Sequence, residues 1–297
     1  MTPLEFSSGD LIADRRADYA EGLLAAGDPQ AAADLYAQAL EVSPGWAVGW
    51  YRLGEIRADH GLPGAEEALA EALRRDPADT MGAGPKLDLL RGKVAALPPA
   101  FVEALFDQYA GRFEDSLVGA LGYRAPQRLR AGLPGRFGRA LDLGCGTGLM
   151  GAELRPAVDW LEGWDISAEM LREAGAKGIY DRLEKRDLSA PPACAGAWDL
   201  ITAADVFSYL GALEGIIGWA AVALRPAGRL AFTVERHDGT GYVLRDSRRY
   251  AHSEVYVRKL LADHGFAADF DRAMLRMDRG APIEALFVQA RREAPRP

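Results

Sequence analysis

Residues Asp142-Leu-Gly144-Cys-Gly146-Thr-Gly148 place a carboxylate at the end of an apolar run, then a glycine at every second position. Glycines at that spacing let the backbone turn tightly and let a ligand reach main-chain N–H groups. A helix is predicted to open near Leu149, and its unpaired N–H groups aim at the same spot. A carboxylate or a phosphate fits there. Read loosely, Gly146-Thr-Gly148-Leu-Met-Gly151 also matches the dinucleotide pattern, with Asp165 as the acid closing the next strand. Asp142 favours another ligand, because an acid at the strand end repels a pyrophosphate and can hold an ammonium. A ligand carrying both an amine and a carboxylate, as an amino acid does, satisfies both ends. Cys145 reads as a small filler of the turn.

These residues need a layered scaffold. Parallel strands are predicted near 139–143, 160–165, 182–187 and 198–203, with a fifth near 229–235 and helices between them. Segments 266–276 and 282–290 read as a hairpin joined by Asp278-Arg279-Gly280-Ala-Pro. Ahead of the first strand, 101–117 is amphipathic, with Leu105, Phe106, Tyr109, Phe113 and Leu117 on one face. Earlier still, Ala33-Asp-Leu-Tyr36-Ala-Gln-Ala39-Leu40 is echoed by Glu66-Glu-Ala-Leu69-Ala-Glu-Ala72-Leu73. The offset is 34 residues at Gly27/Gly61 and 33 at Pro44/Pro77. Pro77 to Pro99 reads as a junction around a short helix at Lys86–Val94.

The run through Gly148 resembles motif I of the class I S-adenosylmethionine (SAM) methyltransferases, and later segments agree in order. The resemblance implies a Rossmann-like α/β domain over 96–297, mostly parallel with a C-terminal antiparallel hairpin. It implies SAM as cofactor and S-adenosylhomocysteine as product. Asp142, Gly144, Cys145, Gly146, Thr147 and Gly148 would line the loop. Asp165, with Ile166, Ser167 and Met170, would take the ribose; Asp187 and Leu188 would take the adenine. Ala204 would close the fourth strand. Tyr109 first, and Phe113 second, would cover the cofactor, an aromatic near a sulfonium gaining cation–π attraction. For each acid the plainer alternative is a strand-end cap of the next helix. Trp50-Tyr-Arg-Leu53-Gly54 resembles the opening of a tetratricopeptide repeat, which implies about two such repeats in an all-α domain over 1–95. The whole arrangement resembles a bacterial group of predicted tetratricopeptide-containing methyltransferases. Some of that group carry a label from methyl-ester formation on a carrier-bound malonyl group.

Methyl transfer asks the protein to align an acceptor, exclude water and remove a proton where the acceptor is a hydroxyl. Two segments can supply this: Ala204-Asp205-Val-Phe207-Ser-Tyr209, and the polar insertion from Glu235 to Glu254. In these segments His252, whose ordinary pKa is near neutral, is the candidate general base, and Asp205 is a second catalytic candidate. Tyr209, Arg245 and Tyr250 are the candidates for holding the acceptor, with Arg245 or Arg249 able to grip a carboxylate. A solvated helix-start histidine and surface arginines are the plainer alternatives. No spacing of Asp, Glu and His indicates a metal. Three readings stay open: a methyltransferase acting on an oxygen, less so a nitrogen, of a small or carrier-bound metabolite; a protein methyltransferase whose repeats recruit the target or self-associate; and a SAM-binding scaffold without turnover.

Composition narrows the classes. The chain has 297 residues, 49% of them hydrophobic, and a net charge of −8. That charge argues against broad nucleic-acid affinity. Residues 1–100 hold 9 Lys and Arg against 16 Asp and Glu, so the acidity belongs to the N-terminal third. Arg124, Arg128, Arg130, Arg136 and Arg139 form a local basic run, either solvated or a docking patch. No apolar run is long enough for a membrane, no leader pattern opens the chain, and there are only two cysteines. A cytoplasmic setting is expected. The excess of arginine, 30 against 5 lysines, points to a GC-rich bacterial genome.

Overall fold

In the computed structural model, which describes residues 7–92, 97–114, 122–245, 247–278 and 280–293, the chain divides into two units, Met1–Ala104 and Leu105–Pro297.

The first unit is helical. Its helices are α1 (Leu11–Ala25), α2 (Pro29–Val42), α3 (Ala47–Asp59), α4 (Ala65–Arg75) and α5 (Ala83–Leu90). Asp10 starts α1 by accepting from the N–H groups of Ile12 and Ala13, and Asp28 starts α2 through that of Ala31. Small side chains let the paired helices approach: Ala13 and Ala20 of α1, and Ala32 and Ala39 of α2, are fully buried. Gly54 of α3 lies against α4 so closely that a Cβ there would stand 2.7 Å from Leu69 Cγ. That contact explains the glycine of Trp-x-x-Leu-Gly. The short helix after Pro77 is α5, which starts and ends earlier than Lys86–Val94; Val94 lies outside the described residues.

The second unit is built on β1 (Phe137–Leu143), β2 (Val158–Asp165), β3 (Arg182–Lys185), β4 (Trp198–Ala203), β5 (Leu224–Arg236), β6 (Tyr242–Leu244), β7 (Tyr250–His252), β8 (Phe266–Asp278) and β9 (Ala281–Arg292). Strands β3, β2, β1, β4 and β5 pair in parallel in that order, and β8 and β9 form the antiparallel hairpin on the free edge of β5. Their apolar runs are buried on both faces, as a parallel sheet requires. Helix α6 (Pro99–Tyr109) ends in a 3₁₀ turn, Ala110–Arg112; the remainder of the amphipathic run, including Leu117, falls outside the described residues. Helices α7 (Ala125–Ala131), α8 (Leu149–Leu154), α9 (Ala168–Ala176), α10 (Glu214–Ala223) and α11 (Glu254–Asp263) complete the unit.

The insertion after β5 joins the sheet. β9 already occupies one edge of β5 as far as Glu235, which faces Ala285. On the other edge β4 stops at Ala203, opposite Phe232. β7 takes up that vacated edge, with Glu235 opposite Ala251 and Arg236 opposite His252, and β6 pairs with β7. The inserted segment is therefore hydrogen-bonded to the sheet just beyond the carboxyl end of β4. Ligands collect at that end in this architecture.

Candidate functional site

The glycine loop leaves β1 with Gly144, Gly146 and Gly148 all left-handed, at φ of 57°, 52° and 94°. Side chains rarely adopt such angles, so the turn depends on glycine. The Cys145 N–H donates to Trp164 O at 2.9 Å and stitches the loop to β2. Cys145 itself is buried, and burial pushes its thiol well up.

Asp142 departs from the role of ammonium partner. It is buried, and both carboxylate oxygens are taken: Tyr180 donates to Oδ2 at 2.7 Å and Thr202 to Oδ1 at 2.8 Å. Burial pushes this carboxyl up to about 7. It braces the loop from beneath. Tyr180, which the sequence reading missed, lies under the same loop. A Cβ on Gly151 would stand 2.2 Å from its hydroxyl, and one on Gly148 3.2 Å from its ring. The third glycine of the dinucleotide-like pattern is thus required by Tyr180, with no phosphate involved.

The acids of the next two strands gather beside this loop. Asp165, at the end of β2, accepts from Gly146 N–H and Ser167 N–H, each at 2.8 Å. Burial pushes it up to about 6, and the N–H groups of Ser167, Gly146 and Ile166 hold it back. Asp187 follows the end of β3 and accepts from Ser189 N–H and Oγ, with Leu188 half-buried between them. Met170 is fully buried behind Ser167, whose hydroxyl caps α9 by accepting its N–H. Thr147 is buried and donates to Glu114. Ala204 follows β4, the strand next to β1. The two aromatics exchange their expected order. Tyr109 is 49% exposed. Phe113 is half-buried over the loop, 3.8 Å from where a Gly146 Cβ would stand.

Beyond β4 lies a dense ion cluster. Asp205 holds a left-handed backbone, φ 61°, fixed by its N–H donating to Thr233 Oγ1 at 2.8 Å. Its carboxylate pairs with Arg249 and, at 3.1 Å, with Arg276 of β8. Glu235, 1% exposed, accepts from Arg249 at 2.6 Å, Arg276 at 2.7 Å and Arg245 at 3.1 Å. Burial alone would raise the Glu235 pKa, but the Arg249 and Arg276 charges overturn it and hold it below the ordinary range. Arg249 also donates to Ser208 Oγ at 2.7 Å and to the Tyr209 hydroxyl, and its guanidinium lies 4.7 Å from the centre of that ring. Three guanidinium groups therefore face two carboxylates, leaving one positive charge in excess. Arg276 reaches this place through a bulge at Met274/Arg276, which turns two consecutive residues, Leu275 and Arg276, inward.

Several sequence assignments change here. His252 is fully buried at the end of β7, with Nε2 2.8 Å from Gly211 O. Burial lowers its pKa to about 4, so the ring stays neutral and its Nε2 proton is committed to a carbonyl. It is a core residue and not a base. Tyr250 is fully buried against Tyr242 and cannot line an acceptor pocket. Asp205 is clamped between two arginines, Arg249 and Arg276, with its carboxylate already paired. Arg245 is spent on Glu235 and Arg236 O. Tyr209 stays at the site, packed edge-on against Phe106 at 5.0 Å. The basic run before β1 is engaged within its own domain: Arg128 with Asp271, Arg136 with Asp159, and Arg139 between the rings of Trp160 and Trp198.

Residues 119–271 match the family model described as "Methyltransferase domain", half of the chain. The chain belongs to this methyltransferase family. The domain is of the SAM-dependent kind, and SAM is its cofactor. Among curated proteins, it is 32% identical over 133 residues to a malonyl-[acyl-carrier protein] O-methyltransferase of Enterobacter lignolyticus (strain SCF1), covering 44% of this chain and 52% of that one. It is 42% identical over 94 residues to the human methyltransferase-like protein 27, covering 29% of this chain and 38% of that one. The match thus spans about half the length of the first relative and less of the second. Among solved structures, a DhpI–SAH complex shares the fold at 22% identity and a TM-score of 0.51, covering 66% of this chain and 98% of that one. The YcgJ protein of Bacillus subtilis does so at 14% identity and a TM-score of 0.50, covering 58% of this chain and 99% of that one. The loop fits the cofactor: its left-handed glycines put no side chain over it, and Asp165 and Asp187 stand at or just past the ends of the adjoining strands. Among the described residues no group of His, Cys, Asp and Glu could hold a metal, and no helix is long and apolar enough to cross a membrane.

Proposed function

We propose that the domain methylates a carboxylate oxygen of a small or carrier-bound acid, giving a methyl ester. The ion cluster beyond β4 is the observation that carries this reading. Its excess guanidinium charge suits an anionic acceptor. Both of its carboxylates are already paired, and the nearby His252 is buried and neutral. An acceptor that is ionised at neutral pH needs no base. Arg249 would grip it by exchanging its hydroxyl partners Ser208 and Tyr209 for the acceptor, since planar guanidinium matches a carboxylate. The named activity of the first relative, O-methylation of a carrier-bound malonyl group, supports the same chemistry.

When bound, SAM supplies an electrophilic methyl group on its sulfonium, taken in a direct displacement that leaves S-adenosylhomocysteine. In this reading the loop N–H groups hold the methionine carboxylate, Asp165 the ribose hydroxyls and Asp187 the adenine amine. Phe113 covers the loop, and the sheet end excludes water. Asp165 sets a pH limit. Its folded pKa is raised, so below about 6 it is protonated and loses acceptor strength. Calorimetric SAM affinity is expected to be level above neutral pH and to fall as pH drops through that value. Affinity unchanged in acid would remove Asp165 from the ribose.

The function itself is tested by labelling with methyl-tritiated SAM and a panel of free and carrier-bound diacids. Label that alkali releases as methanol supports the ester; alkali-stable label on nitrogen refutes it. A second reading rests on the N-terminal helical hairpins and their acidity, which resemble tetratricopeptide repeats. In it the hairpins recruit a protein target or a second copy, and the label would appear on a polypeptide. A cytoplasmic bacterial setting fits either reading.

A further inference from the structure

Tyr123, buried just before α7, belongs neither to the glycine loop nor to the ion cluster, yet it lies beside both. Gly122 turns the chain with a left-handed backbone, φ 64°, and Tyr123 follows it inward. The next residues fix its position. Ala125, Pro126 and Leu129 of α7 are buried, Gln289 of β9 donates to Leu129 O at 2.9 Å, and Arg128 pairs with Asp271 of β8. Tyr123 shares one packed cluster with Leu275, the neighbour of Arg276, and with Ala204, the neighbour of Asp205. The charges its hydroxyl feels are those of Asp205, Arg249, Asp142 and Arg276. Those polar neighbours, and the hydroxyls around them, are committed to protein partners: Asp142 to Tyr180 and Thr202, Ser208 and Tyr209 to Arg249. The Tyr123 hydroxyl is not. Among the described residues it has no hydrogen-bond partner, and it is not one of the unpartnered atoms that packing seals off completely. A buried hydroxyl in that state can take a polar partner that the chain does not supply. Burial raises its pKa well above the ordinary range, so near neutral pH it keeps its proton and serves as a donor.

We propose that Tyr123 contacts the methyl acceptor, its hydroxyl donating to the acceptor carboxylate and, together with Arg249, aiming that carboxylate at the methyl group. The proposal rests on the carboxylate reading of the ion cluster. A carboxylate offers two oxygens and about four lone-pair positions, so it can accept from a guanidinium and a phenol and still present one oxygen for reaction. As that oxygen bonds to the methyl carbon, the electron pair of the breaking carbon–sulfur bond stays on sulfur. No proton leaves Tyr123, so the phenol orients the acceptor and is not a base. Hydrogen bonds to an ionised partner are among the stronger kind, and this one exists only when the acid is bound. The hydroxyl therefore contributes to acid binding and contributes nothing to the fold.

The test is calorimetric titration of malonate, succinate and glutarate into the full chain loaded with S-adenosylhomocysteine, for wild type and Tyr123→Phe. Thermal unfolding and S-adenosylhomocysteine affinity are measured on both. The variant keeps the ring and removes only the hydroxyl. It is expected to bind the tightest of these acids about tenfold or more weakly, the usual loss for one hydrogen bond to a charged group. Its S-adenosylhomocysteine affinity is expected to stay within about twofold, and its thermal midpoint to stay level or rise, since the hydroxyl bonds nothing in the protein. A lower midpoint, or weaker S-adenosylhomocysteine binding, assigns the hydroxyl to the fold or the cofactor and overturns the proposal. Equal binding of the acids by both chains also overturns it and leaves the carboxylate reading standing. If the loaded wild type takes up none of the acids, the carboxylate reading fails and the role of Tyr123 fails with it.

Discussion

Glu235→Ala is expected to destabilise the second unit by about 3–5 kcal/mol, the usual range for removing one partner of a buried ion pair. Glu235 is 1% exposed and holds three arginines at once. Without it Asp205 alone faces Arg249 and Arg276, whose side chains are 12% and 6% exposed. The uncompensated charge remains buried, and that is the main source of the loss. The folded pKa of Glu235 is depressed, so its contribution is present above the ordinary glutamate range and fades as pH falls through the folded value. The gap between wild type and variant in denaturant unfolding should therefore shrink in acid. Adding Arg276→Met to the variant should recover part of the stability by removing a stranded charge. A single variant within about 1 kcal/mol of wild type would mean the cluster is solvated in a way its burial does not indicate.

Gly151→Ala should cost about 2–5 kcal/mol, combining overpacking with a broken buried hydrogen bond. The new methyl would stand 2.2 Å from the Tyr180 hydroxyl and 2.3 Å from its Cζ. Tyr180 cannot retreat freely, because its hydroxyl is bonded to Asp142 and its ring is bounded by Gly148 and Gly163. Displacing it leaves a buried carboxylate short of one donor. A double-mutant cycle isolates the cause. With Tyr180→Ala already in place, Gly151→Ala should become nearly neutral, a coupling above about 1 kcal/mol. Additive losses would show that Gly151 serves the loop directly, and would return the third glycine to a ligand-facing role.

What the sequence revealed and concealed follows from how local each signal was. The five parallel strands carry apolar runs closed by acids or polar turns, so Asp142, Asp165 and Asp187 could be placed at strand ends from spacing alone. The closing hairpin was legible from two long alternating runs around Gly280. Tyr180 was not, because its partners Asp142, Gly148 and Gly151 lie some thirty positions away and nothing in Gly-Ile-Tyr-Asp signals burial. Arg276 was hidden by the bulge: strict alternation puts an arginine beside inward Leu275 on the wet face. An arginine between Leu275 and Met277 was the available clue. His252 was misjudged because the polar stretch from Glu235 reads as exposed, and the edge of β5 that receives it becomes vacant only once β4 has ended. Asp107 and Glu114 look like the wet face of an amphipathic helix until Ser167 and Thr147 are folded against them.

The charged cluster draws on four separate stretches of chain: the exit from β4, the end of β5, the inserted β6–β7 segment and the bulged β8. Any single exchange there alters the ratio of three guanidinium groups to two carboxylates, and an acid lost from one stretch strands an arginine from another. Engineering a new acceptor preference by transplanting the insertion alone should therefore fail, whereas moving Asp205, Glu235, Arg249 and Arg276 together carries the electrostatics with the shape.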